Sequence, residues 1–103
     1  MFETDAYSSL FERIAAVRAH RVSFLSEVSS GALTLADVFE RAEGDHVIAS
    51  MKVLPAIENL PDAGKVQTRR AFEAVGIPED AHLAAVAPDV IEALPAAMAR
   101  HAR

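Results

Sequence analysis

The residues best suited to chemistry lie in the middle of the chain, where one glycine precedes a run of cations. The glycine is Gly64, and the charged or hydroxyl-bearing residues that follow it are Lys65, Thr68, Arg69 and Arg70. If a helix begins at Lys65, its first N–H groups have no partner inside the helix, and the helix dipole makes that end positive. A residue without a side chain lets a phosphate approach those groups closely. The segment therefore predicts binding of a phosphate group.

The cations of this predicted helix are spaced so that they can add to the phosphate contact. Arg69 lies four residues after Lys65, so the two side chains share a face. The free N–H groups belong to Lys65, Val66 and Gln67. Contacts of this kind hold a nucleic acid by its backbone and do not read its bases. An antiparallel helix pair with a solvated basic face has the same pattern, and the residues alone leave both interpretations open.

Hydrophobic residues recur at helical spacing along most of the chain, which predicts an all-α fold. The first thirty residues predict one long amphipathic helix, with Thr4 or Asp5 as its N-cap and Gly31 as its stop. We expect this helix, residues 1–30, to pack on a helical domain formed by residues 31–103, so that the two make a single folded unit.

Capping residues and helix breakers divide the rest of the chain into short helices. Thr34 and Asp37 predict a capping box, and Asp45 can cap a further turn. Pro95 lies inside the apolar pattern of the last helix and predicts a kink or an early end there, because proline has no N–H group. The predicted helices are 35–43, 46–51, 54–60, 65–75 and one that begins at Pro88.

The apolar residues of two helices decide how those helices pack. In the helix over 65–75, Val66, Phe72 and Val75 are predicted to face the core. The first half of the long helix is more apolar than a single contact face requires. This apolar stretch either docks on the protein's own domain or binds a partner helix, and its residues are Leu10, Phe11, Ile14 and Val17.

Several other classes of site and location are not expected. The chain has no cysteine, and its four histidines are not spaced three or four residues apart. Because it also lacks a glycine-rich nucleotide loop and a nucleophile elbow, we expect no metal, no cofactor and no enzyme activity. There is no signal-peptide pattern, and no apolar run approaches the roughly 20 residues of a membrane span. We therefore expect a soluble, cytoplasmic protein that does not bind membranes.

Charge is distributed unevenly along the chain, although the net charge is −5. Residues 52–72 have four Lys or Arg against two acids, which gives +2. Residues 1–51 have four against eight, and residues 73–103 have two against five, which gives −4 and −3. A negative total opposes binding to a polyanion, but the one positive region coincides with the predicted phosphate site.

The spacing of three short motifs in the middle segment resembles a known family. Met51-Lys52-Val53, Leu60-Pro61 and Gly64-Lys65-Val66 are similar to the MKV, LP and GKV run of the actinobacterial-type integration host factors. The resemblance implies a long N-terminal helix on a compact multi-helix domain with a helix–two-turns–helix motif. It also implies a nucleoid-associated protein that binds duplex DNA through the backbone, with little sequence preference.

The resemblance assigns roles to individual residues. It implies that Lys52, Gly64 and Lys65 face DNA, and Arg18 and Arg21 lie where the long helix of the family is basic. The residues themselves indicate solvated side chains for the four histidines, and the alternative is that His20 and His82 flank the DNA.

The chain also differs from the family in ways that favour an alternative function. The family usually has Lys at the positions of Asp62 and Gln67, and a basic cluster at the positions of Ala81, His82 and Ala84. Each phosphate contact that is lost weakens binding. The alternative is a family-like protein that does not bind DNA and acts on a protein partner, such as a DNA-binding relative.

Overall fold

The computed structural model describes residues 2–102 and the side chains of residues 8–102. The elements are α1 (Phe2–Ser29), α2 (Leu35–Gly44), α3 (His46–Ala49), α4 (Val53–Glu58), α5 (Lys65–Val75), a 3₁₀ turn (Leu83–Ala85) and α6 (Pro88–Arg100). The all-α fold predicted from the sequence is confirmed. The β-type pairing in the described residues is a single antiparallel bridge between Lys52 and His82. No helix in the described part is both long and apolar enough to cross a membrane.

The predicted start and stop signals set most helix boundaries. Gly31 has a φ of +83°, and α1 ends two residues before it. Gly76 ends α5 in the left-handed conformation, with a φ of 82°, and Pro88 is the first residue of α6. The helix α1 begins at Phe2, ahead of the predicted caps Thr4 and Asp5, whose side chains lie outside those described.

Side-chain caps fix the N-terminal ends of α2 and α3. The N–H of Asp37 donates to Thr34 Oγ1 at 3.2 Å, and the N–H of Thr34 donates to Asp37 Oδ2 at 2.9 Å, so the predicted capping box is confirmed. Asp45 Oδ1 accepts from the N–H groups of Val47 and Ile48 at 3.0 and 3.3 Å. Both helix starts therefore have their first N–H groups satisfied by neighbouring side chains.

A single core joins all the helices. The helix α1 contributes Phe24 and Val28, which are 2% and 0% exposed. The other large residues that are fully buried are Val38, Ile48, Val53, Ile57, Phe72 and Leu94. Among the residues of α1 whose side chains are described, those that are buried in this core lie in its second half, so the domain holds the long helix by its C-terminal end.

Two local predictions are contradicted: the burial of Val66, and the early end of the last helix, which was one of two alternatives at Pro95. Val66 is 61% exposed and does not face the core. The last helix does not end early at Pro95 but continues to Arg100. Leu94 and Ala97 are buried on either side of this proline, at 0% and 1% exposed. Their burial holds the helix together against the roughly 3 kcal/mol that a proline in a helix interior costs.

Three apolar residues in the described part of the first half of α1 do not dock on the rest of the chain. Leu10, Phe11 and Ile14 are 50%, 66% and 41% exposed. Of the two alternatives left open for this stretch, docking on the protein's own domain therefore does not hold for these three residues. Since α1 has 28 residues and a helix rises about 1.5 Å per residue, it is about 42 Å long and extends past the domain.

The pair formed by His20 and Asp45 links α1 to the cap of α3 and gives a testable effect of pH. His20 Nε2 is hydrogen-bonded to Asp45 Oδ2. This bond, followed by the N–H groups of Ile48 and Val47, holds the pKa of Asp45 below its ordinary value of 3.8. Because the pKa of Asp45 is lower in the folded protein than in the unfolded chain, its ionised carboxylate stabilises the fold above the unfolded-state pKa. That stabilisation is lost as pH falls through the folded-state pKa.

We therefore expect Asp45→Asn to lower the urea midpoint of unfolding at pH 7, because asparagine can still cap α3 but has no charge for His20. The difference from the wild type should shrink as pH falls from about 4 through the lower pKa of the folded protein, where the wild-type Asp45 carboxyl takes up a proton. Urea titrations followed by circular dichroism at the two pH values measure this. A deficit that is the same at both values would contradict it.

Candidate nucleic-acid interface

The N-terminus of α5 is open to solvent at Gly64. This residue is the N-cap and has an extended backbone, with a φ of −95° and a ψ of 157°. A Cβ added to it would meet no protein atom closer than 3.8 Å. The protein's own packing therefore does not require glycine here. What the missing side chain does is leave the start of the helix uncovered.

The first N–H groups of α5 are available to a ligand. The first helical bond runs from the N–H of Thr68 to the carbonyl of Gly64, at 2.9 Å. The N–H of Gly64 itself donates to Gln67 Oε1 at 3.2 Å. Within the described part of the chain, the N–H groups of Lys65, Val66 and Gln67 make no hydrogen bond. Three donors thus point outward at the positive end of the helix dipole.

We call the surface around this helix start the Gly64 corner, formed by Asp62, Gly64, Lys65, Val66 and Arg70. These residues line one shallow depression, which His101 also borders. All five are exposed. Lys65 and Arg70 bring two positive charges to the depression that holds the free N–H groups, and Asp62 brings one negative charge to it.

Two of the predicted phosphate ligands have other environments. Thr68 is 0% exposed, so the prediction that its hydroxyl binds phosphate does not hold in this structure. It lies on the face of α5 that also carries the buried residues Ala71 and Phe72. Arg69 Nε lies 3.6 Å from Glu58 Oε1 on α4. The guanidinium of Arg69 is therefore directed towards α4, and Arg70 is the arginine that borders the Gly64 corner.

A second group of polar residues meets around Ser50, which follows α3. The guanidinium of Arg21 on α1 donates to Ser50 Oγ at 3.4 Å. His82 Nδ1 lies 2.6 Å from the carbonyl oxygen of Ser50. Lys52 is exposed and pairs across the antiparallel bridge with His82. We call Arg21, Ser50, Lys52 and His82 the Ser50 cluster.

Backbone hydrogen bonds hold the Ser50 cluster together. The N–H of Leu83 donates to the carbonyl of Met51, and the N–H of Val53 donates to the carbonyl of Ala81, both at 2.9 Å. These bonds fix the segment before α4 against the loop that leads into the 3₁₀ turn. The structure thus joins Lys52 and Arg21, which the sequence suggested separately, and it adds Ser50, which sequence reasoning missed.

The remaining candidates lie along α1. Arg18 is exposed three residues before Arg21, about one helical turn from the Ser50 cluster. His20 does not have the expected free side chain, because it is paired with Asp45. Among the described residues, no group of three or more His, Asp or Glu side chains has a metal-binding arrangement.

Comparisons with known proteins agree with this geometry. A family model described as an S13-like H2TH domain matches residues 28–98. An integration host factor of Streptomyces coelicolor is 28% identical over 87 residues, which cover 84% of this chain and 81% of that protein. A solved structure of sIHF bound to an 8-base-pair palindromic DNA superposes with a TM-score of 0.75 at 28% identity, covering 82% of this chain and 96% of that one.

These findings confirm the resemblance to the integration host factors that the motifs around Lys52 and Gly64 predicted. The region matched by the family model begins at the C-terminal end of α1 and runs into the last turn of α6. It therefore includes α2 to α5, the Gly64 corner and most of the Ser50 cluster. Since the match spans well over half of the described residues, the chain belongs to the S13-like H2TH domain family.

Proposed function

We propose that this protein binds duplex DNA as a nucleoid-associated, architectural protein, holding the phosphate backbone with little preference for sequence. The observation that carries the proposal is the Gly64 corner, where three N–H groups without acceptors lie beside Lys65 and Arg70. This arrangement suits a phosphate oxygen and offers nothing that distinguishes one base from another. A protein with this activity works on the chromosome, in the cytoplasm.

The uneven charge of the chain sets how such binding depends on salt. The net charge is −5, so the protein as a whole is repelled by DNA and attraction comes from local contacts. Each phosphate neutralised by a cation adds about 0.9 to the slope of log affinity against log salt concentration. With Lys65, Arg70, Lys52 and Arg21 as the contacting cations, we expect a slope of about −3 to −4.

Fluorescence anisotropy with a labelled duplex of mixed sequence tests the proposal. Binding should be clear at about 50 mM salt and, with this slope, about 60- to 250-fold weaker at about 200 mM. A second duplex of unrelated sequence should bind with the same affinity within a few-fold, because the contacts are to the backbone. Failure to bind either duplex at low salt would remove the proposal.

Asp62 gives a prediction in the opposite direction. Its carboxylate lies on the rim of the Gly64 corner and repels an incoming phosphate. Asp62→Lys should therefore tighten duplex binding about tenfold at low salt and steepen the salt slope by about 0.9. Asp62→Asn should give a smaller gain with no change in slope, since it removes repulsion without adding a contact. Unchanged affinity in both variants would show that DNA does not approach this corner.

The exposed face of α1 favours a second candidate function, an interaction with a protein partner or with a DNA-binding relative. Leu10, Phe11 and Ile14 lie at helical spacing and are each at least 41% exposed. An apolar helix face of this kind is used to bind partner helices. Affinity purification from the native host distinguishes the two functions. Recovery of nucleic acid supports the first, and a protein partner that is lost in Phe11→Ala supports the second.

A further inference from the structure

We propose that two copies of this chain associate through the first half of α1, with the two helices side by side and antiparallel. The partner that covers the exposed apolar side chains of this helix is then a second copy of the protein. The region that matches the S13-like H2TH family model begins at residue 28, so the first half of α1 lies outside it. The association does not depend on DNA binding, and only its consequence for DNA rests on the proposed function.

The apolar side chains of α1 form one stripe that runs from the first half of the helix into the core. Leu10, Ile14 and Val17 follow each other at intervals of four and three residues. After one polar position the same alternation leads to the buried residues Phe24 and Val28. This alternation is that of helices that pack side by side in coiled coils. The stripe therefore predicts a helix as its partner, and its outer members Leu10 and Ile14 are 50% and 41% exposed.

The position of the domain decides the direction in which the second helix can lie. Phe24 and Val28 are buried in the core, so the domain lies on the same side of α1 as the stripe. It flanks the helix from about His20, which is bonded to Asp45. Residues 2–17 precede this point and span about 24 Å at about 1.5 Å per residue. A parallel second copy would bring its domain to the place that the first domain occupies, whereas an antiparallel copy has its domain at the opposite end.

Antiparallel pairing about a two-fold axis gives each exposed apolar side chain of the stripe an apolar neighbour. With the axis at the level of Glu12, Leu10 of each copy lies opposite Ile14 of the other. Phe11 is 66% exposed and lies beside the axis, where it meets its own counterpart. A two-fold interface uses the same surface on both copies, and it is the commonest form of association between identical chains. The stripe is thus complementary to itself, and a second copy covers it.

The area of this contact sets its strength. The exposed parts of Leu10, Phe11 and Ile14 amount to on the order of 300 Å² of apolar surface on each copy. Two helices in contact over about 24 Å therefore stay below the roughly 1,200 Å² of a standard-size interface. Interfaces of this size are weak, so we expect a dissociation constant of about 100 μM. Each copy has a net charge of −5, so the two copies repel each other, and salt screens that repulsion.

Sedimentation velocity without DNA, at protein concentrations from about 10 to about 500 μM, tests the association. The wild type should change from monomer to dimer over this range, and added salt should strengthen the dimer a few-fold. I14E should stay monomeric, because it puts a carboxylate into the apolar contact. The matched control is V66E, which adds the same charge at a valine on α5 that is 61% exposed, and it should dimerise like the wild type.

Three results of this experiment would overturn the proposal. They are a wild type that stays monomeric at the highest concentration, an I14E variant that dimerises like the wild type, and a dimer that weakens as salt is added. Helical content by circular dichroism and the thermal midpoint confirm that the variants are folded.

Cysteine cross-linking tests the direction of the helices, since the chain has no cysteine of its own. A disulfide requires Cα atoms within about 7 Å of each other. An oxidised mixture of L10C and I14C should give the mixed dimer, because these positions lie opposite each other. V17C alone should not cross-link, because its two copies lie about 15 Å apart along the antiparallel pair. Efficient cross-linking of V17C, or no mixed dimer from L10C and I14C, would overturn the antiparallel arrangement.

The consequence for DNA is that one dimer carries two Gly64 corners and can bridge two duplexes. An immobilised duplex should retain a second, labelled duplex when the wild type is present at about 100 μM, and at least about tenfold less with I14E. In dilute solution the two proteins should bind a single duplex equally, because Ile14 lies outside the Gly64 corner. If the wild type dimerises but binds no duplex, the proposed function falls and the association stands. If I14E bridges duplexes as well as the wild type, the role of the dimer is overturned and DNA binding stands.

Discussion

Replacing Lys65 by glutamate should weaken binding to duplex DNA by about 10- to 100-fold at low salt. The change removes one cation beside the free N–H groups of α5 and puts a carboxylate where a phosphate would lie. Like charges brought together in an interface cost a few kcal/mol, which corresponds to this loss of affinity. The salt slope should fall by about 0.9, because one fewer phosphate is neutralised. Anisotropy titrations at several salt concentrations measure both quantities.

The matched control is Arg13→Glu, which changes the net charge by the same amount on the exposed first half of α1. Salt screens charges that lie farther from the DNA than about 10 Å, so its effect should be small. Equal losses in the two variants would mean that the total charge, and not the Gly64 corner, governs binding. Arg69→Glu is a poorer test than Lys65→Glu. Arg69 Nε lies 3.6 Å from Glu58 Oε1, so a glutamate at position 69 would put a second carboxylate next to Glu58 and disturb the packing of α4.

Phe24→Ala should destabilise the fold by about 3–5 kcal/mol, the usual cost of removing a fully buried phenyl ring. Phe24 is 2% exposed and lies where α1 enters the core. Small domains unfold with a free energy of about 5–15 kcal/mol, so this one change removes a large part of the total. Urea unfolding followed by circular dichroism should show a much lower midpoint, with the long helix unfolding together with the domain.

Phe11→Ala is the control, since it makes the same change on the same helix at a side chain that is 66% exposed. In a monomer it should change the free energy of unfolding by no more than about 0.5 kcal/mol. A large loss of stability that grows with protein concentration would show that Phe11 is buried in an oligomer. A comparable loss that is independent of concentration would contradict the described packing of α1.

The parts of this fold that could be predicted from sequence are those set by neighbouring residues. The capping box at Thr34, the cap at Asp45 and the left-handed Gly76 all have the geometry that their types favour. Each depends on bonds within a few residues, which a local pattern encodes. The open helix start at Gly64 was predicted for the same reason.

The face that a short helix buries was predicted less accurately than its ends. The pattern of α5 placed Val66 inside and left Thr68 for the ligand, whereas the structure has Val66 61% and Thr68 0% exposed. Val66 and Thr68 are two positions apart, so they lie about 200° apart around the helix and only one of them can face the core. Which one does so depends on the neighbour against which the helix packs. In α5 the buried face is the one with Thr68, Ala71 and Phe72.

The sequence named Arg21, Lys52 and His82 separately, but their meeting around Ser50 could not be predicted because the members of the Ser50 cluster are distant in the chain. Arg21 and Ser50 are 29 residues apart, and Ser50 and His82 are 32 apart. No spacing rule links residues at such distances. A serine between α3 and α4 has no feature that marks it out until α1 and the loop before the 3₁₀ turn are placed against it.

The side chain of Gln67 connects the Gly64 corner to the last helix. Its Oε1 accepts from the N–H of Gly64 at 3.2 Å, and its Nε2 donates to the carbonyl of Met98 at 3.0 Å. The loop that would meet DNA is therefore already held in shape, and little conformational entropy is lost when a phosphate arrives. A consequence is that the C-terminal end of α6 controls how rigid the binding surface is. Sequence changes there can tune the strength of DNA binding without touching DNA.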